Sequence, residues 1–326
     1  MESLELRVLR YFLAVTEERS ITGAAEYLQI SQPSLSRQLR QLEERLGHRL
    51  FERGSRAITL TDEGELLRER AQEIVALADR TAMEIASMDE PVGGPVYLGC
   101  GETDAMRILA RAARRVRERW PQVRFHLYSG NAEDLGDRLD SGFLDFAVLI
   151  EPADVSKYDY VRLPVTDVWG VLMRRDHPLA EHSVVSSSDL EGLPLLVSRQ
   201  MRAGGEFAGW RGSVPKRFDI VGTYNLPNNA ALMVSEGVGC ALCLDRIVNT
   251  GPDSDLTFRP LTPRFESGLD LVWRANRTFS RSAHVFLEEL RGVITGFGLE
   301  GDRGTGDETA SDRPPSDSFD TLGGVA

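Results

Sequence analysis

Ser31-Gln-Pro-Ser-Leu-Ser-Arg-Gln-Leu-Arg-Gln-Leu-Glu-Glu-Arg-Leu-Gly47 reads as one complete amphipathic helix. Ser31 occupies the capping position, Pro33 falls in the first turn where a missing N–H costs nothing, and Gly47 stops the run. Leu35, Leu39, Leu42 and Leu46 recur at helical spacing and define a buried face. Gln32, Ser36, Arg37, Arg40 and Gln41 are left towards solvent, with Ser34 beside them. Short side chains at the N-terminal end let a helix backbone approach the major groove of DNA closely. Arginine and glutamine then make paired hydrogen bonds to base edges.

The flanks complete a small helical domain. Leu6, Leu9 and Leu13 mark one face of an opening helix, and Ser20 or Thr22 caps a short second helix whose Ala24 and Ala25 permit close packing. Gln29-Ile30 makes the turn into the third. After Gly47, His48 to Arg53 and Ala57 to Leu60 read as two short strands around Gly54-Ser55-Arg56, a β-wing carrying Arg53 and Arg56. Arginine at a wing tip suits a phosphate or the negative potential of a minor groove. Thr61 caps a long helix running to about Met88. Along it Leu67, Ala71, Ile74, Ala78, Thr81, Ile85 and Met88 alternate spacings of four and three, a heptad seam rich in small residues.

Taken in order, Leu9-Arg-Tyr-Phe12, Ser20-Ile-Thr-Gly-Ala-Ala25, Gln32-Pro-Ser-Leu-Ser-Arg37, Leu42-Glu-Glu-Arg-Leu-Gly47 and Leu60-Thr-Asp-Glu-Gly64 resemble the LysR family of transcriptional regulators. The resemblance implies that Gln32, Pro33, Ser36 and Arg37 touch bases, that Ser34 and Arg40 share that surface, and that Arg53 or Arg56 reaches the minor groove. It also implies double-stranded promoter DNA as a partner, a homodimer assembling to a homotetramer, and RNA polymerase as a further partner.

Pro91-Val-Gly-Gly-Pro95 breaks the long helix and reads as a hinge. Beyond it, strands alternate with helices: Val96 to Cys100, a helix over Met106 to Glu118, Val123 to Tyr128, a helix near Leu135 to Leu139, and Leu144 to Ile150. This order predicts an α/β fold with a mostly parallel sheet. A second block begins near Pro164, with strands at Trp169 to Met173, Leu195 to Ser198, Phe218 to Gly222 and Val238 to Leu244. A strand over Leu269 to Trp273 and a helix over Arg281 to Gly296 follow.

The family resemblance turns this pattern into two lobes of a type 2 periplasmic-binding-protein-like domain, with a return crossing near Arg264 to Gly268 and a small effector in the cleft. The expected organisation is an all-α winged helix-turn-helix domain over 1–60, a dimerising linker helix over 61–90 and a hinge over 91–95. Lobe I takes 96–164 and 265–298, lobe II takes 165–264, and 299–326 form a disordered acidic tail.

Ligands gather at the carboxyl ends of parallel strands and at helix N-termini, where free N–H groups point outward. Glu102 and Thr103 follow the first strand, with Thr103 where the family commonly has a hydroxyl facing the effector. Ser129 and Asn131 follow the second. From the other lobe, Ser198 and Arg199 end a strand, and Tyr224 and Asn225 precede a helix. Thr103 and Asn131 read equally well as helix caps. Arg199 reads either as a bidentate grip on a carboxylate or as a solvated surface arginine. The effector expected from these groups is a small polar or anionic metabolite.

Composition bounds the remaining possibilities. The chain has 326 residues, 41% hydrophobic and 27% charged, which suits two or three soluble lobes. It contains no apolar run of bilayer length, and Met1 to Arg10 lacks the apolar stretch of a signal peptide, so a cytoplasmic location is expected. The net charge of −12 is unevenly placed. Residues 300–326 carry a net −5, whereas 31–60 carry +3 and contain no lysine.

Cys240 and Cys243 fall in an apparent buried strand where an i,i+3 pair points to opposite faces, and Cys100 has no resolving partner nearby. The five histidines, His48, His126, His177, His182 and His284, lack metal-ligand spacing. Gly99-Cys-Gly101 lacks the third glycine of a dinucleotide loop. No catalytic residue, metal or cofactor is therefore expected. Two alternatives stay open: a metabolite-processing α/β enzyme with a helical dimerisation module, and a ligand-independent architectural DNA binder.

Overall fold

The computed structural model describes residues 4–53, 58–86, 92–199, 210 and 218–301. Its first unit is helical. Helices α1 (Leu6–Glu18), α2 (Ile21–Tyr27) and α3 (Gln32–Leu46) pack around Phe12, which is buried with Leu9, Ala24, Leu35 and Leu39. The leucine spacing gives α3 its core face through Leu35, Leu39 and Leu42, while Leu46 lies beyond α1 and α2 in the last turn and is exposed. Ser20 caps α2, accepting from Gly23 N at 3.2 Å. Ser31 holds the N-cap position of α3, yet its hydroxyl makes no capping bond. The intervening turn is made by Gln29 in the left-handed region (φ 56°), with Ile30 N donating to Ala25 O at 3.0 Å.

The wing is the antiparallel pair β1 (Phe51–Arg53) and β2 (Ile58–Leu60). Two side chains fix it to the helices. Glu43 of α3 accepts from Leu50 N at 2.8 Å, and Thr61 donates to Arg49 O at 2.7 Å while capping α4 (Asp62–Ala86) through Gly64 N at 3.0 Å. A Cβ at Gly64 would stand 2.2 Å from the Leu50 carbonyl oxygen, so glycine alone lets α4 start this close to the wing.

The seam read along α4 divides. Leu67 and Ala71 are buried in the winged-helix core against α1, whereas Ile74 and Ile85 are exposed, Ile85 by 62%. Leu66 and Leu77 join the exposed apolar side, and Met88 lies outside the described residues. The first two seam positions thus belong to the chain's own core, because α1 covers the beginning of α4, whereas Ile74 and Ile85 are left exposed.

The second unit has two lobes. In lobe I, β4 (Val123–Ser129), β3 (Gly94–Cys100) and β5 (Phe146–Ile150) run parallel, followed by antiparallel β12 (Glu266–Arg274) and the first part of β6 (Tyr158–Arg174). Helices α5 (Met106–Arg119) and α8 (Arg281–Gly301) bury one face of this sheet through Ile108, Leu109, Phe286 and Leu290. Helix α6 (Ala132–Asp140) covers the other through Leu135 and Leu139.

Lobe II is built on β9 (Asp219–Tyr224), β8 (Pro194–Ser198), β10 (Cys240–Leu244), the second part of β6, β11 (Leu256–Thr262) and β7 (Val185–Ser186), with α7 (Pro227–Ser235) against β6 and β10. Strand β6 crosses between the lobes: Val168 pairs with Glu266 in lobe I and Trp169 with Leu244 in lobe II.

Several boundaries move from the sequence reading. The crossing falls at Val168–Trp169, beyond 164, because β6 is one continuous strand from Tyr158. Strand β3 begins at Gly94, inside the expected hinge, where it already pairs with Val123. Helix α8 runs to Gly301, past the expected start of the tail, and residues 302–326 lie outside the described part. The sheet is mixed, because the two crossing strands β6 and β12 run antiparallel to their neighbours.

Candidate nucleic-acid interface and ligand cleft

Burying one face of α3 forces the other outward. Gln32, Pro33, Arg37 and Arg40 are exposed, and Ser34 and Ser36 are half-buried on the same helix. Arg45, at the far end of α3, pairs with Glu5 at 3.1 Å. Arg37 and Arg40 pair with no carboxylate among the described residues. Their guanidinium donors face outward on a rigid helix, the arrangement a groove reader needs. Arg53 ends β1, but its side chain and the whole of Arg56 lie outside the described part.

The second site is the cleft between the lobes, where two cavities adjoin. The inner one, of about 50 Å³, is lined by Glu102, Asn131, Ser198, Tyr224 and Asn225 together with Ile150, Trp169, Leu244 and Ile247. The outer one, of about 440 Å³, takes Thr103 and Ser129 and shares Gly101, Glu102 and Ile247. Strand ends from both lobes deliver these groups, as expected where parallel strands stop.

Most polar groups of the cleft have structural duties. Asn131 is the N-cap of α6 in a capping box, its Oδ1 accepting from Asp134 N at 2.9 Å, so its amide N–H groups remain for a ligand. Asn225 Oδ1 accepts from Leu226 N at 2.9 Å. Tyr224 donates its hydroxyl to Leu242 O at 2.5 Å, and burial pushes its pKa well up. Thr103 is buried, accepts from Ala105 N at 3.0 Å and lies beside Asp167, whose charged form it favours. Its hydroxyl therefore serves the start of α5 and the crossing strand. Arg199 lines neither cavity and is exposed, lying one residue past the end of β8.

Glu102 differs. The backbone N–H of Asn228 in α7, across the cleft, favours its charged form, while its Oε2 is buried without a partner among the described residues. Burial raises its pKa, opposed by the Asn228 bond.

The three cysteines are free and buried, with burial pushing the thiols up to about 12 at Cys100, about 11 at Cys240 and about 12 at Cys243. Cys240 and Cys243 pack into different cores on opposite faces of β10.

Comparison with known proteins settles the class. Residues 6–65 match the model of the bacterial regulatory helix-turn-helix protein, lysR family, and residues 89–294, more than half the chain, match the LysR substrate binding domain. The chain belongs to the LysR family of transcriptional regulators. It pairs a helix-turn-helix DNA-binding domain with an effector-binding domain.

Among curated relatives of this LysR-type chain, an uncharacterized HTH-type transcriptional regulator, YfeR of Shigella flexneri, is 26% identical over 304 residues, covering 91% of this chain and 97% of its own. A hydrogen peroxide-inducible genes activator of Dickeya chrysanthemi is 32% identical over 196 residues, 60% of this chain and 63% of its own. Among solved structures, full-length CbnR complexed with its target DNA has the same fold, with a TM-score of 0.66 at 19% identity over 89% of this chain and all of that one. The relatives' names denote regulators of transcription. Among the described residues no helix is long and apolar enough to cross a membrane, and no cluster of metal-binding side chains occurs.

The structure thus brings Glu102, Thr103, Ser129, Asn131, Ser198, Tyr224 and Asn225 to one cleft and leaves Arg199 outside it. The sequence reading missed the apolar wall of Ile150, Trp169, Leu244 and Ile247. Ile150 and Leu244 end strands β5 and β10, so the strand-end rule that selected Ser198 would have found them had it been applied to every strand. Among the described residues no lysine or arginine lines the inner cavity.

Proposed function

We propose that this LysR-type regulator binds double-stranded promoter DNA through α3 and the wing, as a homodimer that assembles to a homotetramer, and that a small polar effector in the Glu102 cleft changes that binding. Gln32, Pro33, Ser36 and Arg37 are assigned to base edges, Ser34 and Arg40 to the adjoining surface, and Arg53 and Arg56 to the minor groove. The observation that carries the reading is the division of α3: a leucine face sunk in the core, and a polar face whose Arg37 and Arg40 have no carboxylate partner among the described residues. The DNA-bound state recorded for CbnR, which shares the fold, supports it. RNA polymerase is the further partner when the protein activates. The chain acts as a binding protein without cofactor or metal.

The exposed run of Leu66, Ile74, Leu77 and Ile85 on α4 supports helix pairing between copies. Peroxide sensing through a thiol, suggested by the name of the Dickeya relative, needs an accessible thiolate, and all three thiols here are buried with raised pKa values. A metabolite in the cleft is the better-supported signal.

Hydroxyl-radical footprinting on the DNA upstream of the protein's own gene tests this reading. Paired protections about one helical turn (~10.5 base pairs) apart are expected from a two-fold dimer. Ile85→Glu on α4 is expected to yield monomers that protect single half-sites weakly. Uniform protection without phased half-sites contradicts the assignment.

A further inference from the structure

The cleft holds a carboxylate with one buried oxygen that no described residue bonds. Glu102 lines both cavities, Asn228 of lobe II lines the outer one beside it, and Glu102 Oε2 is buried without a partner among the described residues. A buried acceptor in that state gains most from a strong donor, and hydrogen bonds between ions of opposite charge are about twice as strong as neutral ones.

Among the described residues no lysine or arginine lines the inner cavity. At the outer cavity Arg107 lies 2.6 Å from Asp104, and Arg246 lies 4.0 Å from Asp104 and 3.8 Å from Asp245, so both positive groups already sit among aspartates. Beside the neutral polar groups Asn131, Ser198, Tyr224 and Asn225, the inner cavity has an apolar wall of Ile150, Trp169, Leu244 and Ile247. Such a wall takes a hydrocarbon body, and the lone carboxylate takes its charged end.

We infer that the effector is a small organic ammonium ion with an apolar body, its N–H groups donating to Glu102 Oε2 while the body lies against Trp169 and Leu244. The inference rests on the cleft being the effector site. Because Glu102 of lobe I lines the same cavities as Tyr224, Asn225 and Asn228 of lobe II, an ammonium group at Oε2 lies between the two lobes. A carboxylate ligand would face the same oxygen with like charge.

Calorimetric titration of the full-length protein with benzylammonium, benzyl alcohol and benzoate, three probes of one shape and different charge, tests it. Benzylammonium is expected to bind at least tenfold more tightly than the other two, and Glu102→Gln, which keeps the shape and removes the charge, is expected to erase that preference. Leu244→Trp, which fills the inner cavity, is expected to abolish binding of all three. Tighter binding of benzoate or benzyl alcohol, an unchanged preference in Glu102→Gln, or no saturable binding of benzylammonium overturns the ammonium assignment. If benzoate binds best and Leu244→Trp blocks it, the cleft survives as the effector site and only the ligand class falls. Binding indifferent to Leu244→Trp removes the cleft reading as well. The probe series on the unaltered protein decides the ligand class even where a variant misfolds.

Discussion

Arg80 of α4 and Asp145, just before β5, form a buried ion pair at 2.5 Å that ties the linker helix to lobe I. The same Asp145 oxygen accepts from Arg277 at 2.7 Å, its other oxygen accepts from Tyr97 N at 2.8 Å, and the Arg80 guanidinium lies 4.2 Å from the Tyr97 ring centroid. Removing the shared carboxylate takes the counter-charge from buried Arg80 and half-buried Arg277, so Asp145→Ala should cost about 3–5 kcal/mol of stability. Denaturant unfolding measures this. Arg80→Met should cost less, because Arg277 still neutralises Asp145 and the methionine keeps the packing.

Glu43 is the other joint, between α3 and the wing. It accepts from Leu50 N at 2.8 Å and Phe51 N at 3.4 Å, so Glu43→Ala leaves those donors without their acceptor. A loss of about 1–3 kcal/mol is expected, with weakened DNA binding measured by gel shift. Glu43→Gln, which still accepts, should behave nearly as the unaltered protein.

Asp167 lies on β6 beside the interlobe crossing, buried, and burial is the main reason its pKa rises from 3.8 to about 6, helped by Asp104 and Asp245 and opposed by the Thr103 hydrogen bond and Arg246. The folded chain then holds this proton more tightly than the unfolded one. Its contribution to stability is greatest below about pH 4, falls as pH rises through about 6, and leaves a penalty on the order of 3 kcal/mol at neutral pH. Asp167→Asn should remove that fall. Thermal unfolding of both proteins from pH 4 to pH 8 measures it, with the variant gaining relative stability as pH rises; a constant difference would contradict the assignment.

Much of this was legible from spacing and punctuation. The leucines of α3, the glycine stop at Gly47, the Thr61 cap and the capping residue Asn131 are local signals, and each appears where local chemistry puts it. What stayed hidden is set by partners far along the chain. The first part of β6 reads Tyr158-Asp-Tyr-Val-Arg-Leu-Pro-Val, with charges and a proline that argue against a strand; it forms because β12, a hundred residues later, lies against it. Strand β11 was likewise unannounced, because Arg259 and Pro260 interrupt its apolar run and its stability comes from β6 and β7. In the cleft, polar strand ends were readable, whereas the apolar wall is assembled from several strands at once.

Burial of the thiols predicts slow chemistry. In the native protein Cys100, Cys240 and Cys243 should resist a disulfide reagent and react fully on unfolding. Millimolar peroxide should leave promoter binding unchanged. A fast-reacting thiol in the native state would return oxidative sensing to consideration.

The central claim, that α3 reads DNA sequence, is tested most directly by fluorescence anisotropy of the full-length protein and Arg37→Ala on a promoter fragment and a scrambled one at a single fixed salt concentration. The account predicts that Arg37→Ala loses about 1–3 kcal/mol of affinity for the promoter and much less for scrambled DNA, since a base contact and not a phosphate contact is removed. An unchanged ratio of promoter to scrambled affinity would contradict it.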